Sequence, residues 1–174
     1  MVIMGSTGTT ATERFITGSN ALRVANNAPC KVMLVPAKAR FDGLEKIVYT
    51  TDLTNENMVQ ARELFPLAKK FDSEIVVLHI DSAGNKNDEE VLTMLTRKSK
   101  QFISYRKKSG YVCSDDDVTK GIDYFLKKQK ADCLVVYHRH RNVLGAIFSK
   151  SVTQRVALLN NLPIIILHAD DIFN

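Results

Sequence analysis

A chain of 174 residues is long enough to bury a real core, as one large domain or as a medium domain plus a fragment. Its 24 basic against 19 acidic residues leave a net charge of +5, which attracts phosphate, RNA or anionic lipid but speaks to association rather than to fold. Apolar runs stop far short of the ~20 residues a bilayer helix needs. The opening residues lack a secretory leader pattern, and Cys30, Cys113 and Cys133 fall in no CxxC or His/Cys ligand pattern, so the expectation is a cytoplasmic protein with core thiols.

In chain order, "VIMGSTGTTATERFITGSNALRV" reads as a strand, a glycine-marked loop and the start of a helix. Gly5, Gly8, Gly18 and Ser19 fall where backbone N–H groups and a helix N-terminus can meet a phosphate. Glycines there serve tight turns and close packing equally well. The strand "CKVMLV" and the linker "AKARFDG" follow.

From Leu44 onward, strand-sized apolar runs alternate with amphipathic helices, the pattern of a parallel α/β sheet covered on both faces. The first strand is Glu45 to Asp52. A helix from about Asn55 to Phe71 carries Met58, Ala61, Phe65 and Ala68 on one face, with a bend expected at Pro66. The second strand is "EIVVLHID", and its helix spans Asp88 to Lys108. The third strand is "YVCS", followed by a helix across "DVTKGIDYFLKKQK". The fourth is "DCLVVYH", with a helix from about Gly145 to Asn160, and the fifth is "PIIILHA".

The chain also contains a repeat. "GSNALRVANNAPCKVMLV" lies without gaps on "KSVTQRVALLNNLPIIIL", and "VIM" lies on "VVY" if the second loop is one residue shorter. Residues 1–36 therefore read as a second copy of the last strand-helix-strand piece of a domain spanning 44–174, with 37–43 as linker. Such a piece is too small to bury both strand faces, so it must dock on its own domain's sheet edge or on another chain.

The chemistry-bearing residues have plain readings. His138 and His140 fall in a basic loop without carboxylate or cysteine at ligand spacing, and His79 sits inside an apolar strand as a hydrogen-bonded core residue. Asp52 fits a turn or cap at a strand-to-helix loop as well as a ligand contact. "SDDDVT" reads as helix capping, since it lacks the spaced oxygens and glycine of a calcium loop. Among the hydrolase, protease and kinase patterns GxSxG, HExxH, Walker lysine and paired carboxylates, none occurs, so the chain is expected not to be an enzyme.

The spacing "GSTG", nine residues, then "GS", with "RVANNAPCKVMLVP", "IVYTTDLTNEN" and "AKKFDSEIVVLHID", resembles the universal stress proteins. The resemblance implies a tandem member lacking most of its first domain. It implies a doubly wound five-stranded parallel sheet of order 3-2-1-4-5, of the adenine-nucleotide alpha hydrolase-like kind, and a homodimer or pseudo-dimer through fifth-strand edges. By resemblance, an ATP site would use Asp52 and Ile80 for the adenosine part and Gly5, Gly8, Gly18 and Ser19 for phosphates, a set divided between the two copies. The complete domain's own loop, "HRHRNVLGAIFSKS", has lost its glycines to His138, His140 or Arg141, and Lys150, keeping only Ser151. It reads as a non-ATP-binding loop, or as one where basic side chains replace backbone amides as anion donors. The alternatives to a nucleotide-binding stress-response module are an interaction module without nucleotide, and an anion or RNA binder working through "HRHR".

Overall fold

The computed structural model describes residues 1–6, 19–82, 87–138 and 162–168. They form seven strands, β1 (Val2–Gly5), β2 (Val32–Val35), β3 (Lys46–Thr50), β4 (Glu74–Asp81), β5 (Lys108–Ser114), β6 (Cys133–His138) and β7 (Ile164–His168). The helices are α1 (Ser19–Asn27), α2 (Asn55–Gln60), α3 (Phe65–Phe71), α4 (Asp88–Phe102) and α5 (Val118–Gln129). The helix expected over 145–160 lies outside the described residues.

All seven strands share one sheet, in the order β1-β2-β7-β6-β3-β4-β5. Every neighbouring pair is parallel except β2 and β7, which run antiparallel. The expectation of five strands thus grows by the two strands of the N-terminal piece. That piece docks on the edge of β7, the edge its apolar residues require. Continuous runs such as β7, buried along its whole length, suit a sheet covered on both faces.

One face packs under α1 and α5, where Ala21, Ala25, Ile122 and Leu126 meet Val48, Leu78 and Ile166. The other packs under α2, α3 and α4, where Met58, Leu64, Ala68 and Leu95 meet Tyr49, Val77 and Leu167. Helices on both faces of a mostly parallel sheet make the fold doubly wound α/β.

The long helix expected over 55–71 is three pieces, with a 3-10 turn at Ala61–Leu64 between α2 and α3. Pro66 consequently sits in the first positions of α3, where a missing N–H removes no ladder bond. Pro66→Ala should therefore change the unfolding free energy by no more than about 1 kcal/mol in urea titration, far below the ~3 kcal/mol cost of a proline inside a helix. Helix α4 ends at Phe102 rather than Lys108, because Ile103 and Tyr105 leave the helical path to bury in the core. The Tyr105 hydroxyl bonds to the carbonyls of Ala68 (3.1 Å) and Ser73 (2.9 Å). Released from the helix, the chain starts β5 at Lys108, three residues ahead of the expected "YVCS".

The ladders also correct the repeat. Val2 N–H donates to the Lys31 carbonyl (2.8 Å), and Leu134 N–H donates to the Pro163 carbonyl (3.0 Å). Val2 pairs with Val32 and Leu134 with Ile164, so "VIM" corresponds to "LVV" and the two copies keep one constant offset with no gap. At the seam, Val32 faces Ile166, Met33 faces Ile165 and Leu34 faces Ile164. Exchanging each residue for its repeat counterpart turns the Val32–Ile166 pair into the Leu34–Ile164 pair and returns Met33–Ile165 to itself. The seam is thus an internal two-fold centred on Met33 and Ile165.

Candidate functional site

Strand β3 lies between β4 and β6, and the chain leaves it for one side and later returns on the other. This reversal opens a crevice beyond the carboxyl ends of the strands, where doubly wound sheets place ligands.

Asp52 stands at that crevice, immediately after β3. Its Oδ1 accepts from the Thr54 N–H (3.0 Å) and hydroxyl (2.7 Å), closing the turn into α2. The Thr54 hydroxyl in turn accepts from the Asn57 N–H (3.3 Å) and caps that helix. Between them Leu53 adopts φ 63°, and its N–H donates to the Thr51 hydroxyl (3.0 Å). A leucine in the left-handed region costs about 1–2 kcal/mol, so the turn is held by these side-chain bonds rather than by local preference.

Ile80 is 2% exposed, its side chain packed against Gly121 of α5, where an added Cβ would come within 3.2 Å of Ile80 Cδ1 and Cγ2. What it presents to the crevice is backbone. The β3–β4 register ends at Thr50–Leu78, with Thr51 N–H donating to the Leu78 carbonyl (2.8 Å). Two residues on, alternation turns the Ile80 N–H and C=O to the same side, toward the gap where β3 and β4 part.

Around this turn lies a group that strand periodicity alone gives no reason to single out. The Tyr49 hydroxyl donates to the Asn57 carbonyl (2.5 Å), and the Tyr137 hydroxyl bonds to Glu56 Oε1 (2.7 Å), tying β3 and β6 to the start of α2. Burial, then the charge of Asp52 and then Tyr137, hold Tyr49 well above the ordinary tyrosine pKa. His79 is the expected core histidine, with Nδ1 2.8 Å from the Thr51 carbonyl oxygen. "SDDDVT" is a cap: Asp117 Oδ1 accepts from the Thr119 N–H (2.9 Å) and begins α5. Among the described residues no group of three His, Cys, Asp or Glu side chains could hold a metal ion, and no helix is long and apolar enough to cross a membrane.

Gly5 lies elsewhere. It ends β1, which runs antiparallel to β7, so the loop it begins leaves the opposite end of the sheet from Asp52 and Ile80. Four inter-strand steps separate β1 from β3, a lateral distance of about 19 Å. The described members of the expected set, Asp52, Ile80, Gly5 and Ser19, therefore fall in two places. Asp52 and Ile80 share the crevice, while Gly5 and Ser19, the first residue of α1, belong to the N-terminal piece. Gly8, Gly18 and the basic loop beyond His138, the last residue of β6, lie outside the described residues.

The thiols behave as core groups to different degrees. Burial drives the Cys133 pKa up to about 12, while Cys30 and Cys113 are half-exposed. A thiol-specific disulfide reagent should label Cys30 and Cys113 in the native protein and Cys133 only after unfolding. The unfolded Cys133 thiol ionises near pH 9, whereas the folded one keeps its proton until about pH 12. Its contribution to stability is therefore intact below pH 9 and falls by about 1.4 kcal/mol per pH unit as pH rises through that window.

The sequence model of the Universal stress protein family matches residues 1–36. No curated protein matches the chain. Among solved structures, a universal stress protein from Archaeoglobus fulgidus DSM 4304 is similar over 96% of this chain and 61% of its own, with TM-score 0.72 and 15% identity. The chain thus spans less than two thirds of that relative's length. A universal stress protein in complex with cAMP covers 72% of this chain and 97% of its own, with TM-score 0.56 and 12% identity. One from Archaeoglobus fulgidus in complex with dAMP covers 71% and 97%, with TM-score 0.52 and 17% identity. Residues 1–36 thus match the sequence model of the Universal stress protein family, and the described residues together take the fold seen in these solved universal stress proteins.

Proposed function

We propose that the chain is a stress-response module that binds an adenine nucleotide such as ATP at the β3–β4–β6 crevice and acts by binding and association rather than by turnover, in the cytoplasm. The observation that carries this reading is the convergence of Asp52 and the outward-turned backbone of Ile80 at the switch point. The cAMP and dAMP complexes of proteins with the same fold support it. In this reading the free side of the Asp52 carboxylate takes ribose hydroxyls and the Ile80 backbone takes the base. Arg139, Arg141 and Lys150, which follow β6 in sequence where a glycine loop would stand, take the phosphates as charge-assisted donors. Association runs through the internal two-fold, since β2 already occupies the β7 edge that a second copy would use.

Equilibrium dialysis with ATP and with dAMP tests the reading. One nucleotide per chain is expected, with affinity reduced about tenfold or more when Arg139 and Arg141 are both replaced by Ala. No retention at millimolar nucleotide would sink it and leave the second reading, an interaction module without nucleotide. That alternative is favoured by the engagement of Asp52 Oδ1 with Thr54 and by the burial of the Ile80 side chain.

A further inference from the structure

Strand β5 closes one end of the sheet, and its outer edge is unpaired among the described residues. The Ile75 N–H donates to the Lys107 carbonyl (2.9 Å) and the Asp115 N–H to the Asp81 carbonyl (3.3 Å). Between these bonds the odd-numbered residues of β5 face β4, so alternation turns the N–H and C=O of Gly110, Val112 and Ser114 outward. The strand runs seven residues without a proline, and open edges of that length are templates for another strand.

Its side chains say which strand. Arg106, Lys107 and Lys108 stand at its start, and Asp115, Asp116 and Asp117 follow its end, where the Ser114 hydroxyl also donates to Asp88 Oδ1 (2.8 Å). A strand that is basic at one end and acidic at the other is its own complement when two copies run antiparallel. Lys107 is paired with Asp72, and Asp117 caps α5, but Arg106 and Asp116 are exposed and make no ion pair among the described residues. At the midpoint Tyr111 is 39% exposed, its ring centre 5.3 Å from that of Phe125 on α5.

From this charge complementarity we infer that β5 is an interface between two copies of the chain, joined edge to edge and antiparallel about a two-fold through Tyr111. Gly110 and the partner's Val112 then exchange N–H to C=O bonds, once on each side of the axis. Tyr111 meets the partner's Tyr111 as a non-hydrogen-bonded pair, the closest kind, on the face that Phe125 already lines. Arg106 falls opposite the partner's Asp116 and Lys107 opposite the partner's Asp115. Moving the axis to Gly110 or Val112 loses both the tyrosine pair and the Arg106–Asp116 pair. This surface is separate from the β2–β7 seam and from the crevice at β3.

Sedimentation equilibrium of the full chain from about 5 µM to about 1 mM should show a monomer–dimer equilibrium. Over that range amide exchange at Gly110 and Val112 should slow by at least about tenfold, while Tyr111 and Cys113, already bonded to β4, change less. Tyr111→Lys sets two like charges on the axis and should raise the dissociation constant at least about tenfold with circular dichroism unchanged. Arg106→Asp and Asp116→Arg each set like charges opposite one another and should each weaken the dimer. An equimolar mixture of those two variants should recover the parent's dissociation constant, because each then faces its opposite charge, a rescue that no folding defect can produce. A monomer at about 1 mM, or a mixture as weak as its two components, would overturn the proposal. So would a dimer whose protected amides are Ile3 and Gly5, which would put the association on β1.

Discussion

Aspartate in place of Val32 is expected to lower the unfolding free energy by at least about 4 kcal/mol, read from urea denaturation. Val32 is 0% exposed and stands opposite Ile166, also 0% exposed, on the seam that joins the N-terminal piece to the rest of the sheet. A carboxylate there has no partner and must be desolvated or protonated, and the valine packing is lost with it. The internal two-fold makes a sharper statement. Ile164 is the repeat counterpart of Val32 and faces Leu34, so Ile164→Asp should cost a similar amount. The double variant should cost less than the sum, because either charge alone already opens the same seam. Full additivity would mean that the two positions do not share one interface.

Much of this architecture was legible in the residues, for identifiable reasons. The β4 run "EIVVLHID" is bounded by turn residues and has the same limits in sequence and in structure. The Gly18–Val35 repeat was visible because Ser, Arg, Val and Ala recur at fixed places. The gap placed ahead of it was not, since "VIM" matches "VVY" about as well as "LVV" by composition and only the ladder chooses between them. The end of α4 was hidden because Ile103 and Tyr105 continue the apolar count past the helix, and the Tyr105 hydroxyl is held by the carbonyls of Ala68 in α3 and of Ser73 just before β4.

The same limit governs the candidate site. Asp52 and Ile80 could be placed at strand ends from local pattern. That Gly5 leaves the far end of the sheet follows from the antiparallel seam, a tertiary choice that no local pattern of β1 records. The bonds from Tyr49 and Tyr137 to the start of α2 were equally invisible, because a tyrosine within an apolar strand reads as core until its hydroxyl finds a partner.

Asp52 offers the second large effect, and two substitutions separate its roles. One oxygen, Oδ1, holds the turn through Thr54, so Asp52→Ala should cost about 1 kcal/mol of stability and also weaken adenine nucleotide binding by at least about tenfold. Asp52→Asn keeps an acceptor for Thr54 but puts an amide donor where the second oxygen would accept from ribose hydroxyls. It should therefore melt like the parent yet bind about as poorly as the alanine variant. Removing the charge should also let Tyr49 ionise at lower pH in a spectrophotometric titration, because Asp52 is the second largest cause of its raised pKa. If the asparagine variant binds nucleotide as the parent does while Tyr49 shifts as expected, the carboxylate serves the turn alone and the crevice holds its ligand by other groups.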